Sequence, residues 1–130
     1  LELEHKGMGE MLFAPMDTYF SDTEVYQPDI IFIAADNRSV EVDKIVKGAP
    51  DLVIEVLSPG TAYYDLRHKA DVYAESGVKE YWIVDPMEKS VEVFTNNNGD
   101  FSRREKVSEK GTVSSALFPE FQVSLDSLFA

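Results

Sequence analysis

The chain has 130 residues, with 12 Lys and Arg set against 24 Asp and Glu, for a formal net charge of −12. That length suits one domain, and 44% hydrophobic residues can build a core without disulfides or structural metal. The acidic balance speaks against a general nucleic-acid binder, which carries a basic stripe. The absence of cysteine excludes a disulfide scaffold, a thiolate zinc site and a cysteine nucleophile, and fits a cytoplasmic setting.

No apolar run approaches the ~20 residues of a membrane span. The opening Leu1-Glu2-Leu3-Glu4-His5-Lys6 does not resemble a signal peptide. It also lacks an initiator Met, so the chain is expected to begin inside a longer gene product. The Asn37-Arg38-Ser39 sequon, without a secretion signal, reads as chance.

In chain order, residues 11–20 read as an extended segment broken by Pro15. Residues 29–34 (Asp-Ile-Ile-Phe-Ile-Ala) are apolar and β-branched, as in a strand covered on both faces. Residues 36–50 are polar and read as a loop. Residues 51–57 (Asp-Leu-Val-Ile-Glu-Val-Leu) form a second buried strand, ended by Ser58-Pro59-Gly60. Residues 61–77 read as a helix, with Thr61 as its cap and Gly77 as its stop. Its apolar stripe is Ala62, Leu66, Ala70, Tyr73 and Gly77. Residues 80–84 return as a third strand, so the second and third strands should be parallel across a crossover helix.

Beyond Asp85-Pro86, Val91 to Phe94 alternates as an exposed antiparallel strand does. An Asn-rich turn at 96–99 leads to its hairpin partner at 101–107. Arg103, Arg104 and Lys106 are the one tight basic group, but strand neighbours point to opposite faces, which suits a solvated hairpin. In the tail, Phe121, Val123, Leu125 and Leu128 should pack on the domain. The fold class is α/β, with a mixed sheet, a parallel centre and antiparallel margins.

Glu55 is the most informative residue for chemistry. It sits between Ile54 and Val56 in an otherwise apolar strand, where an ionised carboxylate is costly unless paired or metal-bound. Asp29 follows Pro28 at the head of another apolar strand. If the two strands are neighbours, two converging carboxylates can hold magnesium, a hard cation that keeps several waters. On the residues alone, Glu55 can equally face a crevice and pair with a lysine.

Lys69 lies on the flank of the helix stripe, where its long side chain can reach the strand ends. It can equally make an exposed pair with Asp65, one turn earlier. His68 falls on the solvent side of the helix. Ser58 has no hydrolase-elbow context, and no P-loop or dinucleotide fingerprint is present. Tyr73, Tyr81 and Trp82 read as core.

Gln27-Pro28-Asp29, the block Ala49-Pro50-Asp51-Leu52-Val53-Ile54-Glu55-Val56-Leu57-Ser58-Pro59, then Asp65, Lys69, Tyr73, Gly77-Val78 and Glu80-Tyr81-Trp82-Ile83-Val84-Asp85-Pro86 form one ordered pattern. It resembles the Uma family of restriction endonucleases, within the PD-(D/E)xK restriction-endonuclease-like superfamily. The resemblance covers residues 10–129, and the block 50–86 is its specific part.

The resemblance implies a magnesium-dependent core acting on DNA phosphodiesters. Asp29 stands as the motif aspartate, Glu55 as the second acid, and the Val56 carbonyl as a further metal ligand. Leu57 occupies the position where the superfamily's lysine usually stands, so Lys69 on the following helix is expected to supply that amine. The resemblance also implies a preceding helical segment. Residues 1–130 are therefore expected to be one restriction-endonuclease-like domain without it, associating as a homo-oligomer and cutting DNA weakly or not at all on its own. The rival expectation is a catalytically silent module of the same fold, used for dimerisation or partner binding.

Overall fold

The structure is a computed structural model that describes residues 9–60 and 63–129. The three apolar runs predicted as central strands lie side by side. Ile30–Ala34 is β4, Leu52–Val56 is β7 and Glu80–Asp85 is β8. With β1 (Gly9–Phe13), β9 (Ser90–Asn97) and β10 (Asp100–Ser108) they form a six-stranded sheet in the order β1-β4-β7-β8-β9-β10. Only β7 and β8 run parallel in this sheet, and helix α1 (Tyr63–Ser76) makes their crossover. The remaining pairs are antiparallel, so the mixed sheet matches its expectation. Asp29 lies one residue ahead of its strand, and Thr61 and Ala62, the expected helix cap and first stripe residue, lie outside the described residues.

Side chains alternate along strands, and this sorts the core into two layers. Ile31, Ile33, Val53 and Tyr81 face α1, packing with Tyr73, Val78 and Val46. Phe32, Leu52, Ile54, Trp82 and Val84 face the other way, against Val113, Phe118 and Leu125 of the tail. A continuous apolar run is needed because both faces are covered.

Gly77 ends α1 at φ 104°, a left-handed conformation that favours glycine. The Asn96 amide then donates to the Ala74 and Val78 carbonyls at 2.9 and 2.7 Å, tying the helix end to β9. Asn98 and Gly99, both at positive φ, form the two-residue turn between β9 and β10.

Two expectations need correction. The predicted loop 36–50 contains β5 (Glu41–Val42) and β6 (Val46–Lys47). They join β2 (Thr18–Tyr19) and β3 (Val25–Tyr26) in a small sheet ordered β3-β2-β6-β5. Two-residue strands are too short to show a period, although the fully buried Val46 ties this sheet to the core.

In the tail, β11 (Thr112–Ser114) pairs with β12 (Gln122–Ser124), followed by α2 (Leu125–Leu128). Leu125 is fully buried, Phe121 stacks on Trp82 at 5.3 Å, and Val123 packs on the same core. Leu128, however, is exposed, and Phe129 packs inward instead. Among the described residues, no helix is long and apolar enough to cross a membrane.

Candidate active site

The register of β4 against β7 pairs Ile30 with Ile54 and Ile31 with Val53. Continued by one residue, it sets Asp29 opposite Glu55, on the face that carries Ile31, Val53 and α1. Opposite residues of an antiparallel pair have Cβ atoms about 4.5–5.5 Å apart. Continued once more, it sets Pro28 opposite Val56, where the ladder fails. Proline has no N–H to offer the Val56 carbonyl. The Val56 N–H donates instead to Asp29 Oδ2 at 2.7 Å. The ladder's end thus fixes Asp29 beside the last residues of β7.

Glu55 is buried at 6% exposure. Its Oε1 accepts a hydrogen bond from the Tyr73 hydroxyl at 2.7 Å, and its Oε2 lies 3.8 Å from Lys69 Nζ. Burial pushes the Glu55 carboxyl above its usual range, and the neighbouring Asp29 charge adds to this. The Tyr73 hydrogen bond and the Lys69 charge pull it back. Burial and the adjacent Glu55 carboxylate push the Tyr73 phenol upward too, keeping it a donor.

Lys69 is about one-third exposed, and its ammonium also lies 5.7 Å from the centre of the Tyr26 ring. Of the two directions open to it in the sequence, Lys69 takes the strand end and Glu55; no Asp65 pair forms among the described residues. Helical spacing explains the arrangement, since Lys69 and Tyr73, four residues apart, share a helix face and meet the same carboxylate.

Each acid gives one oxygen to the fold. Among the described residues, Asp29 Oδ1 and Glu55 Oε2 accept no hydrogen bond. Two hard oxygens on one face, beside a backbone carbonyl without a ladder donor, are a donor set that suits magnesium. No group of three His, Cys, Asp or Glu side chains converges among the described residues, so water would complete such a shell.

The sequence reading missed two contributors. Tyr73 was assigned to the core, and it is fully buried, but its hydroxyl needs a partner and finds Glu55. Pro28 was noted only as a neighbour of Asp29.

Two other buried acids are structural. Asp51 accepts from the Ala34 N–H at 2.7 Å and the Asn37 amide at 3.0 Å, and pairs with Lys79 at 3.3 Å. Glu80, fully buried, accepts from Trp82 Nε1, the Ser115 hydroxyl and the N–H groups of Ala116 and Leu117. His68 is solvent-facing as expected, 3.8 Å from Glu24.

The ordered pattern around these residues has a match across the chain. The family model Uma2, described as "Putative restriction endonuclease", matches residues 1–126. The chain belongs to the Uma2 family. Its fold is also that of a crystal structure titled as a putative nuclease belonging to DUF820 from Anabaena variabilis ATCC 29413. The TM-score is 0.78 at 22% identity, covering 98% of this chain and 71% of that one. No curated protein matches the chain. Together these findings show a nuclease-like fold.

Proposed function

We propose that this Uma2 domain is a magnesium-dependent endonuclease that hydrolyses DNA phosphodiester bonds, with Asp29, Glu55 and Lys69 as its catalytic residues. The observation that carries the reading is the cross-strand pair of carboxylates, each with one oxygen that accepts no hydrogen bond among the described residues, beside a lysine ammonium. Asp29 Oδ1, Glu55 Oε2 and the Val56 carbonyl would hold the cation. Magnesium bound there supplies charge neutralisation at the phosphate and a more acidic water.

The chain's own residues do the rest. Tyr73 holds Glu55 Oε1 and so fixes which oxygen turns to the cation. The Val56 N–H does the same for Asp29 Oδ2. Lys69 Nζ donates a hydrogen bond to the attacking water or to a phosphate oxygen as negative charge develops there.

A second reading, a catalytically silent module for partner binding, draws support from the charges. Net charge is −12, and the basic group is engaged with neighbours. Arg103 pairs with Glu92 at 3.3 Å, Lys106 with Glu88 at 3.3 Å, and Arg104 with Glu105 at 3.5 Å.

Magnesium titration by calorimetry and plasmid nicking separate the two readings. The enzyme reading expects magnesium binding and nicking in the wild type, both lost in Asp29→Asn and in Glu55→Gln. Nicking that survives in both variants overturns it. Magnesium binding without nicking favours the silent module.

A further inference from the structure

Tyr81 is 1% exposed, and its hydroxyl has no hydrogen-bond partner among the described residues. A buried hydroxyl left unpaired costs about 1–3 kcal/mol, so such a group in the central strand of a sheet calls for an explanation. Its surroundings give one. Tyr81 stands on the α1 face of β8, in register with Val53, and its ring meets the Tyr73 ring edge-on at 5.5 Å. Tyr73 in turn donates to Glu55. Burial first, then the charges of Glu55 and Asp29, push the Tyr81 phenol upward, so its proton stays in place within reach of both carboxylate fields.

Tyr81 also stacks on Phe101 at 5.4 Å, and both residues line a cleft of about 440 Å³. This stacking and the Tyr73 contact leave the ring little freedom to swing its hydroxyl toward another partner.

We propose that the Tyr81 hydroxyl hydrogen-bonds a buried water beside the Asp29 and Glu55 carboxylates, and that this water belongs to the hydration shell of the cation they hold. A hydroxyl in that role orients the shell without ligating the metal, as outer partners do at other metal sites. Tyr81 is thus a positioning residue for the site proposed above, and the inference rests on that reading.

The test is Tyr81→Phe, which removes one oxygen and keeps the ring, read by magnesium titration calorimetry and by thermal melting in chelator. The expected result is a melting temperature in chelator equal to or above that of the wild type, with magnesium affinity weakened about tenfold. Glu55→Gln, run beside it, should lose magnesium binding altogether. Unchanged magnesium affinity in Tyr81→Phe, with the Glu55→Gln loss intact, overturns the Tyr81 role and leaves the site standing. A lower melting temperature in chelator with unchanged affinity makes the hydroxyl a fold contact and likewise overturns it. A wild type that binds no magnesium overturns both the site and this role.

Discussion

Glu80→Gln separates a buried acid that holds the fold from one that does chemistry. Oε1 of Glu80 accepts from the Ser115 hydroxyl at 2.9 Å, the Ala116 N–H at 2.9 Å and the Leu117 N–H at 3.0 Å, while Oε2 accepts from Trp82 Nε1. A glutamine has one acceptor oxygen. With that oxygen kept on the three tail donors, its NH₂ faces the indole N–H, donor against donor. The reverse orientation leaves three donors unmet.

Hydrogen bonds to charged groups contribute about 1.5–3 kcal/mol, and an unmet buried donor costs about 1–3 kcal/mol. These overlap in part, so a loss of about 3 kcal/mol is expected. Unfolding entropy of ~2.1 cal/mol/K per residue gives roughly 0.27 kcal/mol/K for 130 residues. The melting temperature should therefore fall by about 11 °C. Melting with and without magnesium is the assay, and the increment gained from the metal should match the wild type. A variant melting within about 2 °C of the wild type would refute the reasoning, because the four donors would then have been satisfied elsewhere. A lost magnesium increment would refute it too, by drawing Glu80 into the metal site.

In metal-free buffer, Glu55→Gln should gain stability over the wild type as pH rises. The Glu55 carboxyl is raised above 4.5 in the fold, so its favourable contribution is full below about 4.5 and is lost as pH climbs through the raised value, whereas glutamine does not titrate. Denaturant curves at pH 4 and pH 7 check this, and an equal difference at both values contradicts it. Lys69→Met should keep magnesium binding and lose about 10²-fold in nicking rate, since the amine acts on developing charge. Its stability should change by less than about 1 kcal/mol, because the ammonium is partly solvated. Calorimetry, single-turnover nicking and melting read these together, and a full nicking rate would remove Lys69 from the mechanism.

The central fold was legible because each core strand is apolar along most of its length, on both faces, which a sheet covered on both sides permits. Leu66, Ala70 and Tyr73 kept helical spacing, and Gly77 marked the stop. The sheet of two-residue strands was not legible, because no period can appear in Thr18–Tyr19 or Glu41–Val42. Leu128 misled because hydropathy alone does not say which of Leu128 and Phe129 turns inward.

Glu55 stood out as one acid in an apolar run, whereas Glu80 and Asp51 at strand starts looked ordinary although both are buried. Their partners, Ser115 to Leu117 and Asn37, are distant in sequence, and nothing in their local pattern points to a buried acid. Tyr73 could have been read as a ligand of Glu55 from its spacing to Lys69, since a buried phenol needs an acceptor.

The ladder that stops at Pro28 also bears on how the chain tolerates insertions. Asp29 and Glu55 meet because Ile30 faces Ile54, so what must be kept is the parity of each strand and not the length of chain between them. Residues added in the exposed turns of the connection between Ala34 and Leu52, outside β5 and β6, leave the two carboxylates opposed. One residue inserted within Ile30–Ala34 turns Asp29 to the opposite face, among Phe32 and Ile54. A fixed spacing between the two acids is therefore a poor signature of this site, and a better one is a proline–aspartate step that opens one apolar strand beside a glutamate near the end of the next.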